Sequence, residues 1–135
     1  MDCIFCKIVS GEIKSKFLKE TKHSISFLDA FPLAAGHALI IPKNHHQKIQ
    51  DMSIEENTDL FSLVHQMISN VDKITGSTLV AIHNGKDAGQ EIPHVHVHLV
   101  PRSTVDSAGP IHSMFSSKVN VSESDMDELY DKLKI

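Results

Sequence analysis

Residues 94–101 read HVHVHLVP, and this run limits the fold more than any other in the chain. Strict alternation is the period of a β-strand, whose successive side chains leave on opposite faces. Val95, Val97 and Leu99 then share one face, and His94, His96 and His98 share the other. The apolar face requires a core, so the strand belongs to a sheet packed against another layer. Histidines on the opposite face sit about 6.6 Å apart along the strand. At that spacing the imidazoles can converge on one ligand, or act in turn along a bound phosphate chain. A solvent-facing strand would not need three histidines in register.

The rest of the chain supplies the partners such a strand needs. FLKET and HSISFLDA read as a hairpin alternating through Ile25 and Phe27. GHALIIPKNHH is a third strand, with the run Ala38 to Ile41 buried and Pro42 ending it. SIEENTDLFSLVHQMISNVDKITG is a long helix. Ser53 and Glu56 have capping-box spacing, Gly76 supplies the stop, and Leu60, Phe61, Val64, Met67, Ile68, Val71 and Ile74 form a helical stripe for the sheet. STLVAIHN is a fourth strand and the histidine run a fifth, while CIFCKIVSGEI forms a short helix or turn closed by Gly11. Strands, one long helix, then strands predict an α+β fold with a mostly antiparallel five-stranded sheet. Residues 102–121 have no periodicity and contain Gly109-Pro110, as expected of a lid or mobile loop. Residues 122–135 predict a C-terminal helix with Met126, Leu129, Tyr130 and Leu133 on one face, docked on the domain or on a partner subunit. The chain has no internal repeat and no convincing linker before residue 101, and its length fits one domain, so residues 1–135 are read as a single domain.

Charge narrows the function. The net charge is -4, with no run of lysine or arginine, which argues against a protein whose affinity comes from nucleic-acid phosphates. No apolar run approaches the roughly 20 residues of a membrane span. The start, MDCIFCKIVSGEIKS, lacks a basic lead and an apolar core of signal length. The expected location is the cytoplasm. In that reducing compartment Cys3-x-x-Cys6 binds metal or stays free rather than forming a disulfide.

Two chemistries suit the histidine face. One is a catalytic zinc held by His-x-His, a third ligand and water. The other is nucleophilic attack by a neutral imidazole, available because histidine titrates near 6.5. The preceding HNGKDAGQEIP favours a phosphate site, since glycine-rich turns present backbone N–H groups to phosphate oxygens. Taken alone, Asn84-Gly85 is an ordinary hairpin turn.

GQEIPHVHVHLVPR resembles the signature of the histidine triad (HIT) family of nucleotide hydrolases and transferases, His-φ-His-φ-His-φ-φ with φ apolar. DCIFCKIVSGEI, FLDAFPLAAGHALIIPKNH and HNGKDAGQ extend the likeness over roughly the first hundred residues, nearest to the small Hint-like bacterial and archaeal branch. The resemblance implies a HIT-like fold and a homodimer with joined sheets. It implies a purine nucleotide substrate: a nucleoside phosphoramidate, dinucleoside polyphosphate or related conjugate cleaved at the α-phosphate. By resemblance His96 is the nucleophile that becomes nucleotidylated, His98 contacts the phosphate, and His37 supports both. Asn84 and Gln90 hold the phosphate or leaving group, Asp29 binds the ribose hydroxyls, and Ile4, Phe5, Phe27 and Ala30 form the slot for the base. Glu91 departs from relatives that carry Ser or Thr there; a carboxylate repels a phosphate unless it is protonated or turned away.

The resemblance also implies a structural zinc on Cys3, Cys6, His45 and His94, with His46 competing for the place of His45. Such a zinc pins the N-terminus to the catalytic strand without activating water. Two rival functions remain at this level: a hydrolase using catalytic zinc on the triad, and a nucleotide-binding protein without turnover.

Overall fold

The computed structural model describes residues 2–135. The chain divides into two compact units, Met1–Val105 and Asp106–Ile135. The first carries α1 (Ile4–Val9), β1 (Phe17–Glu20), β2 (Ser24–Leu28), β3 (Ala38–Pro42), α2 (Ile54–Thr75), β4 (Thr78–Ile82) and β5 (Val97–Pro101). The five strands form one sheet in the order β1-β2-β3-β5-β4, every neighbouring pair antiparallel. This is the α+β architecture that the alternation of elements predicts.

The sheet is covered on both faces, which explains the continuous apolar run in β3. Ala38 and Ile40 join Val95, Val97 and Leu99 in a core under α2, with Leu60, Leu63, Val64, Met67 and Val71. Leu39 and Ile41 point the other way and pack with Ile25 and Phe27 against Cys3, Phe5 and Ile8 of the N-terminal segment. The second core forms one wall of the cleft described below.

Helix α2 starts and stops where its caps require. The Ser53 Oγ accepts from the Glu56 N–H at 3.1 Å, and Glu56 Oε1 accepts from the Ser53 N–H at 3.0 Å. At the other end Gly76 adopts φ 92°, a conformation that favours glycine. The buried stripe differs from the expected one in three places. Phe61 and Ile74 are 42% and 54% exposed, whereas Leu63 is fully buried. The stripe that meets the sheet runs through Leu60, Leu63, Val64, Met67 and Val71, and Phe61 and Ile74 fall at its margins.

Glu56 does more than cap. Its Oε2 also accepts from Asn44 Nδ2 at 3.2 Å and from His46 Nε2 at 3.0 Å. Backbone donation from Ser53 first, then the His46 and Asn44 contacts, hold its carboxyl down to about 2 against the cost of burial. The helix start is thereby tied to the segment 44–46. Glu56→Gln is expected to lower stability by about 1.5–3 kcal/mol at pH 7, the range for hydrogen bonds to a charged group. Because the folded pKa is depressed, the wild-type advantage is complete above the ordinary carboxylate range and disappears as pH falls toward 2. Urea unfolding of both proteins across that range checks the sign.

The histidine run enters the ladder later than its alternation predicts. β5 begins at Val97, and residues 94–96 lie before it. They are held by other bonds: the Val95 N–H donates to the His46 carbonyl at 2.7 Å, and the His94 N–H to the Ile92 carbonyl at 2.8 Å. The facial alternation still survives, since Val95 is buried with Val97 and Leu99.

The second unit holds a 3-10 turn at Ile111–Met114 and the helix α3, Glu123–Leu133. Ser122 caps α3 by accepting from the Asp125 N–H at 3.2 Å. No helix among the described residues is long and apolar enough to cross a membrane.

Candidate active site

The imidazoles of His96, His37 and His98 are held in defined tautomers that trace back to backbone groups of fixed donor or acceptor character. The His96 Nδ1 lies 2.7 Å from the carbonyl oxygen of His94. A carbonyl only accepts, so Nδ1 carries the proton and Nε2 keeps a free lone pair. For His37 the logic reverses. The Leu33 N–H donates to His37 Nδ1 at 3.0 Å, which places the His37 proton on Nε2. His37 Nε2 lies 3.0 Å from His98 Nδ1 and donates to it, leaving His98 with its proton on Nε2. One imidazole thus offers a lone pair and its neighbour offers an N–H, with ring centroids 4.9 Å apart.

Burial keeps these rings neutral at pH 7. It is the largest cause in each case, lowering His37 and His96 below the ordinary histidine value and bringing His98 down to about 4. Mutual repulsion among His37, His96 and His98 adds to the effect, and the Asp29 carboxylate opposes it.

The rings line a cavity of about 540 Å³, within the usual range for a small-molecule site. One end is apolar and includes Ile4, Phe5, Ile8, Phe27, Ala30 and Leu39; His37, His83, His96 and His98 line the other. Phe5 joins the two ends. Its ring meets Phe27 edge-on at 6.0 Å and His96 at 5.1 Å. Asp29 also lines the cavity, accepting from the Phe31 N–H at 2.9 Å through Oδ1 and lying 3.6 Å from His37 Nε2 through Oδ2.

Two residues expected at the phosphate have their side chains elsewhere. Asn84 Oδ1 accepts from the Ile49 N–H at 2.9 Å and its Nδ2 donates to Gln50 Oε1 at 3.0 Å. Gln90 is buried and its Nε2 donates to the Gln47 carbonyl at 2.8 Å. Neither lines the cavity. Both fasten the 83–90 loop to the segment 47–50. His83, which the sequence motifs do not single out, lines the cavity, and so do Gly89 of the glycine-rich turn and Glu91. The register exposes the signal: Ala81 pairs with His98, and antiparallel partners share a face. His83, two residues beyond Ala81, therefore falls on the histidine face.

A second constellation lies behind the first. Cys3 Sγ and Cys6 Sγ are 3.5 and 3.7 Å from His94 Nδ1, and Cys6 Sγ is 3.4 Å from His45 Nδ1. All four donor atoms lie within 4.8 Å of one another. In a tetrahedron with Zn–S near 2.3 Å and Zn–N near 2.0 Å, sulfur and nitrogen are about 3.5 Å apart, so the set fits a closed metal site. The tautomer fits as well. His94 Nε2 donates to the Pro42 carbonyl at 2.8 Å, leaving the Nδ1 lone pair aimed at the thiols. His46 is taken by Glu56, and His45 is the histidine brought to the cluster.

Asp29, His37 and His98 also bring donor atoms within 4.8 Å. Their tautomers argue against a metal there. With Leu33 donating to Nδ1, the His37 Nε2 facing His98 carries a proton rather than a lone pair. The His37–His98 hydrogen bond instead aims the His98 N–H, with the Asp29 carboxylate 3.6 Å from His37 Nε2.

Residues 10–105 match the HIT domain family. The chain belongs to the HIT family. An uncharacterized HIT-like protein of Methanocaldococcus jannaschii is 37% identical over 134 residues, covering 98% of each chain. An adenosine 5'-monophosphoramidase of Schizosaccharomyces pombe is 41% identical over 102 residues, covering 76% of this chain and 75% of the relative. Among solved structures, the histidine triad nucleotide-binding protein of Candida albicans superposes with a TM-score of 0.83 at 31% identity, covering 98% of this chain and 94% of that one. In this HIT chain the match to the family ends at Val105, where the first compact unit also ends.

Proposed function

We propose that this HIT protein cleaves nucleotide conjugates at the α-phosphorus through a covalent nucleotidyl-His96 intermediate. The observation that carries the reading is the His96 Nδ1–H···O bond to His94, which leaves Nε2 unprotonated at the cavity beside the His98 N–H. The Nε2 lone pair forms the P–N bond as the bond to the leaving group breaks, and the leaving group departs with the electron pair. His98 donates to a non-bridging oxygen as its charge grows. Water then attacks phosphorus and gives up a proton, which balances the one taken up by the departed leaving group, the P–N bond breaks with its electron pair returning to Nε2, and His96 ends neutral.

The nucleoside occupies the rest of the cavity. A purine fits the apolar slot of Ile4, Phe5 and Phe27, and Asp29 accepts from the ribose hydroxyls. The phosphoramidase relative supports an adenosine phosphoramidate as substrate. A zinc ion on Cys3, Cys6, His45 and His94 is structural: four protein ligands leave no position for water. The chain works as a homodimer in the cytoplasm, a reducing compartment that suits cysteines held outside any disulfide. The edge strand β4, with Leu79 and Val80 41% and 43% exposed, is the seam where two sheets join. Equilibrium sedimentation is expected to give twice the chain mass.

Product chromatography on adenosine and guanosine phosphoramidates and dinucleoside polyphosphates tests the function. Nucleoside monophosphate release from at least one class is expected; inertness toward all of them, with intact nucleotide binding, would leave a binding protein. Asp29→Asn should weaken ribonucleotide binding by about 1.5–3 kcal/mol, the range for a charged acceptor, while hardly changing 2′,3′-dideoxynucleotide binding. Equal losses by calorimetry would remove Asp29 from the ribose.

A further inference from the structure

We propose that His83 is the general acid–base residue that protonates the leaving group in the reaction described under Proposed function, on which this role rests. Three observations lead there.

The first is topology. β5 lies between β3 and β4 in the sheet. From the β3 side come His37, at the start of that strand, and the apolar slot containing Phe27 of β2 and Leu39 of β3, with Asp29 just beyond β2. From the β4 side comes His83, immediately after the strand ends at Ile82. A nucleoside in the slot occupies the β2–β3 side of the cavity. A phosphorus held at His96 and His98 then turns its departing substituent toward β4, where His83 stands.

The second is orientation. Ala81 pairs with His98 and Ile82 with Val97, so continuing the register sets His83 across from His96 on the same face. The ring of His83 lies 5.7 Å from that of His98, nearly edge-on at 70°, and lines the cavity.

The third is a built seat. Gly89 packs its backbone on the ring; a Cβ there would fall 3.1 Å from His83 Cδ2 and 3.3 Å from Nε2. Gly89 also holds φ +106°, which L side chains rarely adopt. The loop that carries Gly89 is fastened at both ends, through Asn84 to Ile49 and through Gln90 to Gln47. His83 is thus held on a fixed platform rather than on a free loop tip.

The chemistry balances with one proton. Protonated His83 gives its proton to the departing atom as the P–leaving-group bond breaks and His96 Nε2 bonds to phosphorus. Neutral His83 then takes a proton from the attacking water as the new P–O bond forms and the P–N bond to His96 breaks. Both imidazoles finish as they began.

A leaving-group series separates this role from a merely structural one. The substrates are esters of adenosine 5′-phosphate running from p-nitrophenyl through phenyl to alkyl, assayed with wild type, His83→Gln and His83→Asn. A leaving group that departs readily as an anion needs no acid, and a poor one does. Loss of His83 should cost on the order of 10²-fold or more in kcat/KM on the alkyl ester and less than about 10-fold on the p-nitrophenyl ester. The affinity for adenosine 5′-monophosphate, measured by calorimetry, should stay within a few-fold in both variants. A uniform loss across the series, or none, would overturn the assignment. Absence of wild-type turnover even on the activated ester would sink the nucleotidyl-transfer reading itself, and this role with it.

Discussion

Replacing His96 by alanine is expected to remove turnover by about four orders of magnitude or more while leaving nucleotide affinity within a few-fold. The asymmetry follows from how the cavity is made. Its apolar end, Asp29 and the His98 N–H all belong to other residues, so the pocket survives the substitution. Only the lone pair that forms the covalent bond is lost, and nucleophile deletions in covalent enzymes fall in this range. Calorimetry with adenosine 5′-monophosphate and single-turnover kinetics on the same preparation measure the two halves separately. A variant that binds and turns over normally would move the nucleophile elsewhere. His96→Gly should recover part of the activity with added imidazole, since the missing group is a diffusible base.

Removal of the metal ligands is the second large effect. Elemental analysis of the purified protein should find about one zinc per chain, and Cys3→Ser should release it. Without metal, burial and the neighbouring Cys3 push the Cys6 thiol up, so a bound cation must displace protons to recruit the sulfurs. The cluster joins three distant parts of the chain: α1, the segment after β3, and the approach to β5. Losing that junction should lower Tm on the order of 10 °C, as expected for a few kcal/mol in a domain of this size. Calorimetric unfolding of wild type with and without a chelator checks the figure. A metal-free native protein with unchanged Tm would reduce the four residues to ordinary packing.

Local patterns in the sequence were legible because they depend on spacing alone. Ser53, Glu56 and Gly76 mark both ends of α2 through caps that involve only a few residues. Val95, Val97 and Leu99 alternate with the histidines whether or not each residue lies in the ladder. Long-range choices were not legible. Whether His45 or His46 meets the cysteines depends on Glu56, which occupies His46 from a helix ten residues onward. Whether Asn84 or its neighbour His83 faces the cavity depends on the register of β4 against β5. A one-residue step in a strand reverses the face, so motif likeness alone could not place the side chain. Phe61 and Ile74 illustrate the limit of helical periodicity: they keep the period but lie at the edge of the contact stripe. The division at Val105 and Asp106 falls inside the aperiodic stretch 102–121, which the missing periodicity marks as a loop without marking where a compact unit ends.

The central claim is a covalent bond between His96 Nε2 and the α-phosphorus. Wild-type protein mixed with a nucleotide conjugate radiolabelled at that phosphorus, quenched rapidly without acid and digested, tests it directly. The expected result is an acid-labile, alkali-stable nucleotidyl adduct on the peptide containing His96, forming and decaying at rates compatible with turnover. A label on any other residue, or turnover with no labelled peptide at any time, would contradict it.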